Sequence, residues 1–163
     1  MKELCISLFS QFPALIVFLH VISAVIWVGG MIAIRFAVHY SMAKVEDPTI
    51  KLGRTLEFLQ RFFNMVRPAI AVLLVTAVIM IFGLEFKGTP LYNVIIIKEV
   101  IWSLMTVVFI IIYVKRNKAQ ISFDSGDFAA AKAQLAPLSL WMIPLNIVLG
   151  IVALYLGITL RGF

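Results

Sequence analysis

Apolar residues dominate four stretches of the chain, residues 13–37, 62–84, 91–114 and 138–160, and polar residues gather between them. Each stretch is long enough to cross a bilayer. About 20 mostly apolar residues, rising 1.5 Å apiece, span a hydrocarbon core about 30 Å thick. The pattern predicts an all-α integral membrane protein, an antiparallel four-helix bundle that takes up residues 1–163 as a single transmembrane domain.

Between the stretches the pattern changes. Glu46-Asp47-Pro48-Thr49 reads as a loop that starts a helix. Beyond it Leu52, Leu56, Leu59 and Phe63 recur at helical spacing, while Lys51, Arg54, Glu57 and Arg61 fall on other faces. This predicts a helical extension of the second span, with its apolar stripe on the membrane surface and its arginines near headgroups. Residues 85–90 predict a short hairpin, which makes spans two and three antiparallel neighbours. Ser125-Gly126-Asp127 predicts the start of a short alanine-rich helix that Pro137 ends before the fourth span. Residues 1–12 form an apolar lead-in at the interface or an extension of the first helix. The first span exceeds a signal-peptide core, runs on to Arg35 and lacks an A-x-A site, so it is expected to be retained.

Composition agrees: 63% of residues are hydrophobic and 13% charged, and the mean hydropathy is +1.06. A soluble domain this apolar would expose large sticky patches. The net charge of +6 follows topology and does not point to nucleic acid. Arg35, Lys44, Lys51, Arg54, Arg61 and Arg67 lie between spans one and two, and Lys115, Arg116, Lys118 and Lys132 between spans three and four. The opposite side holds Lys2, Lys87 and Arg161. The positive-inside rule therefore places both long loops in the cytoplasm and both termini outside. The single cysteine, Cys5, excludes an intrachain disulfide and a CxxC motif.

Ionisable side chains within spans are costly and usually face a bundle interior or cavity. Two stand out. His20 lies about seven residues into span one, roughly 10 Å below the outer boundary. Lys98 lies about seven residues into span three. The two spans run in the same direction, so both residues reach the same depth. Span two returns toward that level with Thr76 and Met80, and span three adds Trp102 and Met105 below Lys98. A ring of His20, Lys98, Met80 and Trp102 is expected in the outer half. The ordinary alternatives are that Lys98 snorkels to the interface and that His20 bonds a neighbouring helix.

His39, nineteen positions after His20, lies roughly 28 Å away along one helix, so the two cannot share one metal or haem. With Arg35 and Tyr40 it forms a trio suited to an anionic headgroup, a propionate or interfacial anchoring. The seven methionines are scattered, without an MxxxM pair, and read as membrane filler more readily than as a copper path. Small residues share helix faces, with Ser23, Trp27 and Gly30 on span one and Asn146, Gly150, Ala153 and Gly157 on span four, as at packing seams in lipid. No P-loop, dinucleotide fingerprint, GxSxG or HExxH is present, and Glu99 is the one carboxylate within the spans.

The segment Leu19-His20-Val21-Ile22-Ser23-Ala24-Val25-Ile26-Trp27-Val28-Gly29-Gly30 resembles the first span of two groups of small four-helix bacterial membrane proteins, the HemJ-type protoporphyrinogen oxidases and the CopD copper-resistance family. Arg35-Phe36-Ala37-Val38-His39-Tyr40 looks like the HemJ-type Arg-Leu-Phe-Val-Tyr-His with its last two residues exchanged. Arg67-Pro68-Ala69 is similar to that family's Pro-Ala-Met, Lys98 stands where it has a lysine, and Leu160-Arg161-Gly162-Phe163 is similar to its ending. Met31-Ile32-Ala33-Ile34 replaces the HemJ-type Tyr-Leu-Pro, one residue is lost between Trp27 and Arg35, and Trp141-Met142-Ile143-Pro144 lacks the family's acid.

The resemblance implies a haem-b-binding redox protein of the bacterial inner membrane that oxidises a porphyrinogen and passes electrons to quinone. His20 would then be the axial ligand, Met80 a second ligand, Lys98 the partner of a propionate or substrate carboxylate, Trp27 and Trp102 walls, and Arg35 a further propionate contact. A homodimer would supply a second His20. The CopD likeness implies copper handling through His20 and methionines instead. A third expectation is a non-catalytic accessory subunit.

Overall fold

The computed structural model describes residues 2–84 and 88–160. The regular structure of these residues is helical throughout. Five helices follow one another: α1 (Lys2–Gln11), α2 (Pro13–Ala43), α3 (Pro48–Gly83), α4 (Tyr92–Asp124) and α5 (Phe128–Thr159). The last four are each long and apolar enough to cross a membrane. At 36 residues, α3 is about 54 Å long and outruns a core about 30 Å thick. Glu85, Phe86 and Lys87 of the expected hairpin, and Arg161, Gly162 and Phe163 of the ending, lie outside the described residues.

Local chemistry sets the boundaries. Phe12 leaves helical geometry (φ −132°, ψ 49°) and Pro13 opens α2 in the first turn, where no N–H is needed. The Asp47 carboxylate caps α3 by accepting from Thr49 N at 2.7 Å and Ile50 N at 3.0 Å. Gly126, at φ 82°, closes α4: Asp127 N–H reaches back to the Ser122 carbonyl at 2.9 Å. Asp127 then accepts from Ala130 N at 2.9 Å and starts α5.

Two stretches widen to π geometry, Ile34–Val38 in α2 and Leu138–Met142 in α5. The His39 N–H bonds the Ile34 carbonyl, and the Ile143 N–H bonds that of Leu138. Pro144 explains the second: it has no N–H to offer the preceding turn. Pro137 was expected to end a separate helix, but the chain continues through the π turn into the fourth span. An isolated proline in a membrane helix is tolerated because neighbouring groups re-satisfy the freed carbonyl.

Helix α2 packs on α3, α4 on α5, and the ring closes through α2–α5 and α3–α4 contacts. Helix α1 packs on α3, with Phe9 against Gly83. At the centre Trp27 and Phe63 meet Phe109 edge-on, at ring separations of 6.0 and 5.5 Å. Facing lipid instead are large apolar side chains, including Val75, Val107 and Val148. The stripe of Leu56, Leu59 and Phe63, expected on the membrane surface, is buried in the bundle core. The core continues past the second apolar run because α4 and α5 extend alongside α3 and cover it.

Candidate functional site

His20 and Thr76 meet across the α2–α3 contact in the half of the bundle opposite the basic loops. His20 Nδ1 lies 3.0 Å from Thr76 Oγ1. The Thr76 hydroxyl also lies 2.7 Å from the Val72 carbonyl and 3.1 Å from that of Leu73. Carbonyls only accept, and the hydroxyl has one proton to give. With that proton given back along α3, Thr76 Oγ1 accepts from His20 Nδ1–H. In that arrangement the ring is in the Nδ1–H tautomer and Nε2 keeps a lone pair. Thr76 is buried and His20 half-buried.

Lys98 reaches the same level from α4. Its Nζ lies within electrostatic range of His20. The side chain lies over Gly157 of α5, where an added Cβ would come within 3.1 Å of Nζ. Glycine at that position leaves room for the lysine. Among the described residues the ion pairs join Glu57 to Arg54 and Arg61 at the far end, and Lys98 has no carboxylate partner. Glu99 is exposed. The cluster thus sets an imidazole bonded to a buried threonine beside a lysine, which suits a ligand bearing a carboxylate or a carbonyl oxygen.

The other expected members divide. Met80 is half-buried one turn beyond Thr76, and Trp102 is half-buried one turn below Lys98 with Nε1 unpartnered. Trp27, expected as a wall, is only 1% exposed and packs edge-on against Phe109 in the closed core. It lies two turns, about 10 Å, deeper than His20, and the close packing there leaves no face for a cofactor. Arg35 sits in the π stretch of α2, about 22 Å along the helix from His20, so it belongs to the opposite end. Among the described residues no group of three His, Cys, Asp or Glu is placed to hold a metal ion. Met31, Met105 and Met142 are packed in the hydrophobic core.

Comparison with protein-family models, with characterised proteins and with solved structures gives no match. The cluster has therefore to be judged on its chemistry.

Sequence reasoning gave Thr76 no role beyond its level, although it orients the histidine. It also counted Arg116 among the loop cations. Arg116 is in fact buried, with Nη2 donating to the Leu56 carbonyl and to Gln120 Oε1, each at 2.9 Å. Asn146 is fully buried and donates to the Met105 carbonyl at 3.2 Å. Its place on a small-residue face was the available signal.

Proposed function

We propose that this chain is an inner-membrane redox protein that binds haem b through His20, as its resemblance to the HemJ type implies. The observation that carries the reading is the Thr76 hydrogen bond. An axial histidine needs a bare ring nitrogen and a partner that holds the other N–H, because that outer bond fixes ring orientation and raises ligand basicity. His20 has both. The donor set fits in a second respect: Lys98 has no carboxylate partner among the described residues, and when protonated it would suit a propionate or a substrate carboxylate. Met80 of the same chain, or His20 of a second copy, would supply a further ligand.

When bound, haem b supplies the one-electron chemistry. The residues of the chain have separate tasks. His20 binds, Thr76 orients it, Lys98 holds an anionic substituent in low dielectric, and the packed core beneath, closed by Trp27, keeps water from crossing the bundle. A porphyrinogen as donor and a quinone as acceptor follow from the resemblance. The copper reading would draw on the same His20 and Met80, and among the described residues no group of three His, Cys, Asp or Glu stands beside them to complete a site.

The test is an absorption spectrum, oxidised and dithionite-reduced, of the full chain purified in mild detergent from haem-replete cells. A stoichiometric Soret band that disappears in His20→Ala and survives in His39→Ala is expected. A cofactor-free wild-type spectrum, or full haem content in His20→Ala, sinks the reading. Copper in the colourless protein would favour the CopD-like alternative, and neither group would favour an accessory subunit.

A further inference from the structure

A groove of about 750 Å³ opens at the basic end of the bundle, between the last turns of α2 and the first turns of α3 and α5. His20, Lys98, Met80 and Trp102 do not line it. Both π stretches border it, through Ile34 and Val38 on one side and Leu138, Ser139 and Leu140 on the other. π turns recur at functional sites because they widen a helix and re-aim its side chains. The volume falls within the range of small-ligand sites, about 300–1,000 Å³.

The groove is two-sided in chemistry. Its depth is apolar, with Leu52, Leu59, Leu135 and Ile143 among its lining. Its polar lining comes from separate helices: His39 from α2, Lys51 from α3 and Lys132 from α5. Glu46, in the connection before α3, is the one acidic side chain there, against two lysines. Among the described residues neither lysine forms an ion pair. This juxtaposition sits where the apolar spans give way to the cationic segments, the side that the positive-inside rule assigns to the cytoplasm.

We infer that this groove is a binding site for one anionic glycerophospholipid of the cytoplasmic leaflet, its phosphate between Lys51 and Lys132 and an acyl chain along the Leu52 and Leu135 walls. Two observations select this occupant. The net positive polar lining complements an anionic headgroup. Basic pockets between transmembrane helices on the cytoplasmic side are suited to such headgroups. The apolar depth between two membrane-crossing helices accepts a chain, which a soluble phosphate compound does not offer. The inference is independent of haem, since it uses neither His20 nor Lys98.

Native mass spectrometry of the full chain in detergent tests it, with phosphatidylglycerol and phosphatidylcholine of matched chains as probes. Wild-type protein should bind one phosphatidylglycerol between about fivefold and about thirtyfold more tightly than phosphatidylcholine, since one lysine near a surface contributes about 1 kcal/mol, about fivefold, and two about thirtyfold. Lys51→Gln with Lys132→Gln should erase that preference, whereas Lys115→Gln with Lys118→Gln, an equal charge change outside the groove, should keep it. Ala136→Trp, which fills the groove and leaves the lysines, should lose both lipids. Equal binding of the two lipids by wild type, equal losses in the two double variants, or displacement by inorganic phosphate overturns the inference.

Discussion

A threonine within a helix ordinarily returns its hydroxyl proton to a carbonyl three or four residues back, and Thr76 does so toward Val72. This local habit acquires a second role here, because it leaves Oγ1 free to accept from His20. Thr76→Val keeps the shape and removes the acceptor, leaving His20 Nδ1–H without its partner. Interhelical hydrogen bonds in membranes are worth about 0.6 kcal/mol on average and up to about 1.7, so a loss of about 1 kcal/mol is expected, with Thr76→Ser close to wild type. Thermal unfolding in detergent measures this, and a valine variant as stable as the serine variant would remove the bond from the account. Arg116 shows why such roles escape sequence reasoning. Its neighbours Lys115 and Lys118 mark it as one of a run of loop cations, and only the passage of α3 beside α4 reveals the Leu56 carbonyl it serves.

Helix contacts at glycines give the sharpest predictions at the scale of elements. A Cβ at Gly30 would lie 2.5 Å from the Phe62 ring, and one at Gly150 would lie 2.6 Å from Val28. Those side chains fill the α2–α3 and α2–α5 seams, so something must shift. Gly30→Ala and Gly150→Ala should each cost about 1–3 kcal/mol, the usual range for overpacking. Gly29, next in sequence to Gly30, has nothing within 4 Å of its would-be Cβ. Gly29→Ala should be neutral or stabilising by up to about 1 kcal/mol, since alanine is the better helix former. The contrast within one dipeptide is the test, because any general effect of alanine would move both melting curves alike. The seam glycines were legible as such, since Gly30 and Gly150 fall on faces of small residues. The π turn at Ile34–Val38 was not, because no proline follows it within α2 and a one-residue widening leaves apolar periodicity almost unchanged.

At the scale of the molecule, hydropathy alone located the four spans, because lipid admits few structures and length discriminates among them. The site was legible only in part. Depth could be counted along each helix, which placed His20 and Lys98 on one level. Packing between helices could not, and packing is what closed the core around Trp27 beside Phe109 and brought Lys98 to rest over Gly157. Orientation across the membrane rests on a different quantity, the asymmetry of ten basic residues against three between the two sides. The bias places the α4–α5 turn in the cytoplasm and the α3–α4 connection outside. In a Cys5→Ala background, Ser125→Cys and Pro90→Cys would report the two sides through a membrane-impermeant maleimide. Both parent residues are exposed at helix ends, so reactivity reflects the side and not burial. In right-side-out vesicles Pro90→Cys should label and Ser125→Cys should label only after permeabilisation. The reverse pattern would move the His20–Lys98 cluster to the cytoplasmic half and the lysine-lined groove to the outer leaflet. Because both sites sit at opposite ends of one set of packed helices, this single labelling experiment fixes which face of the membrane each of them serves.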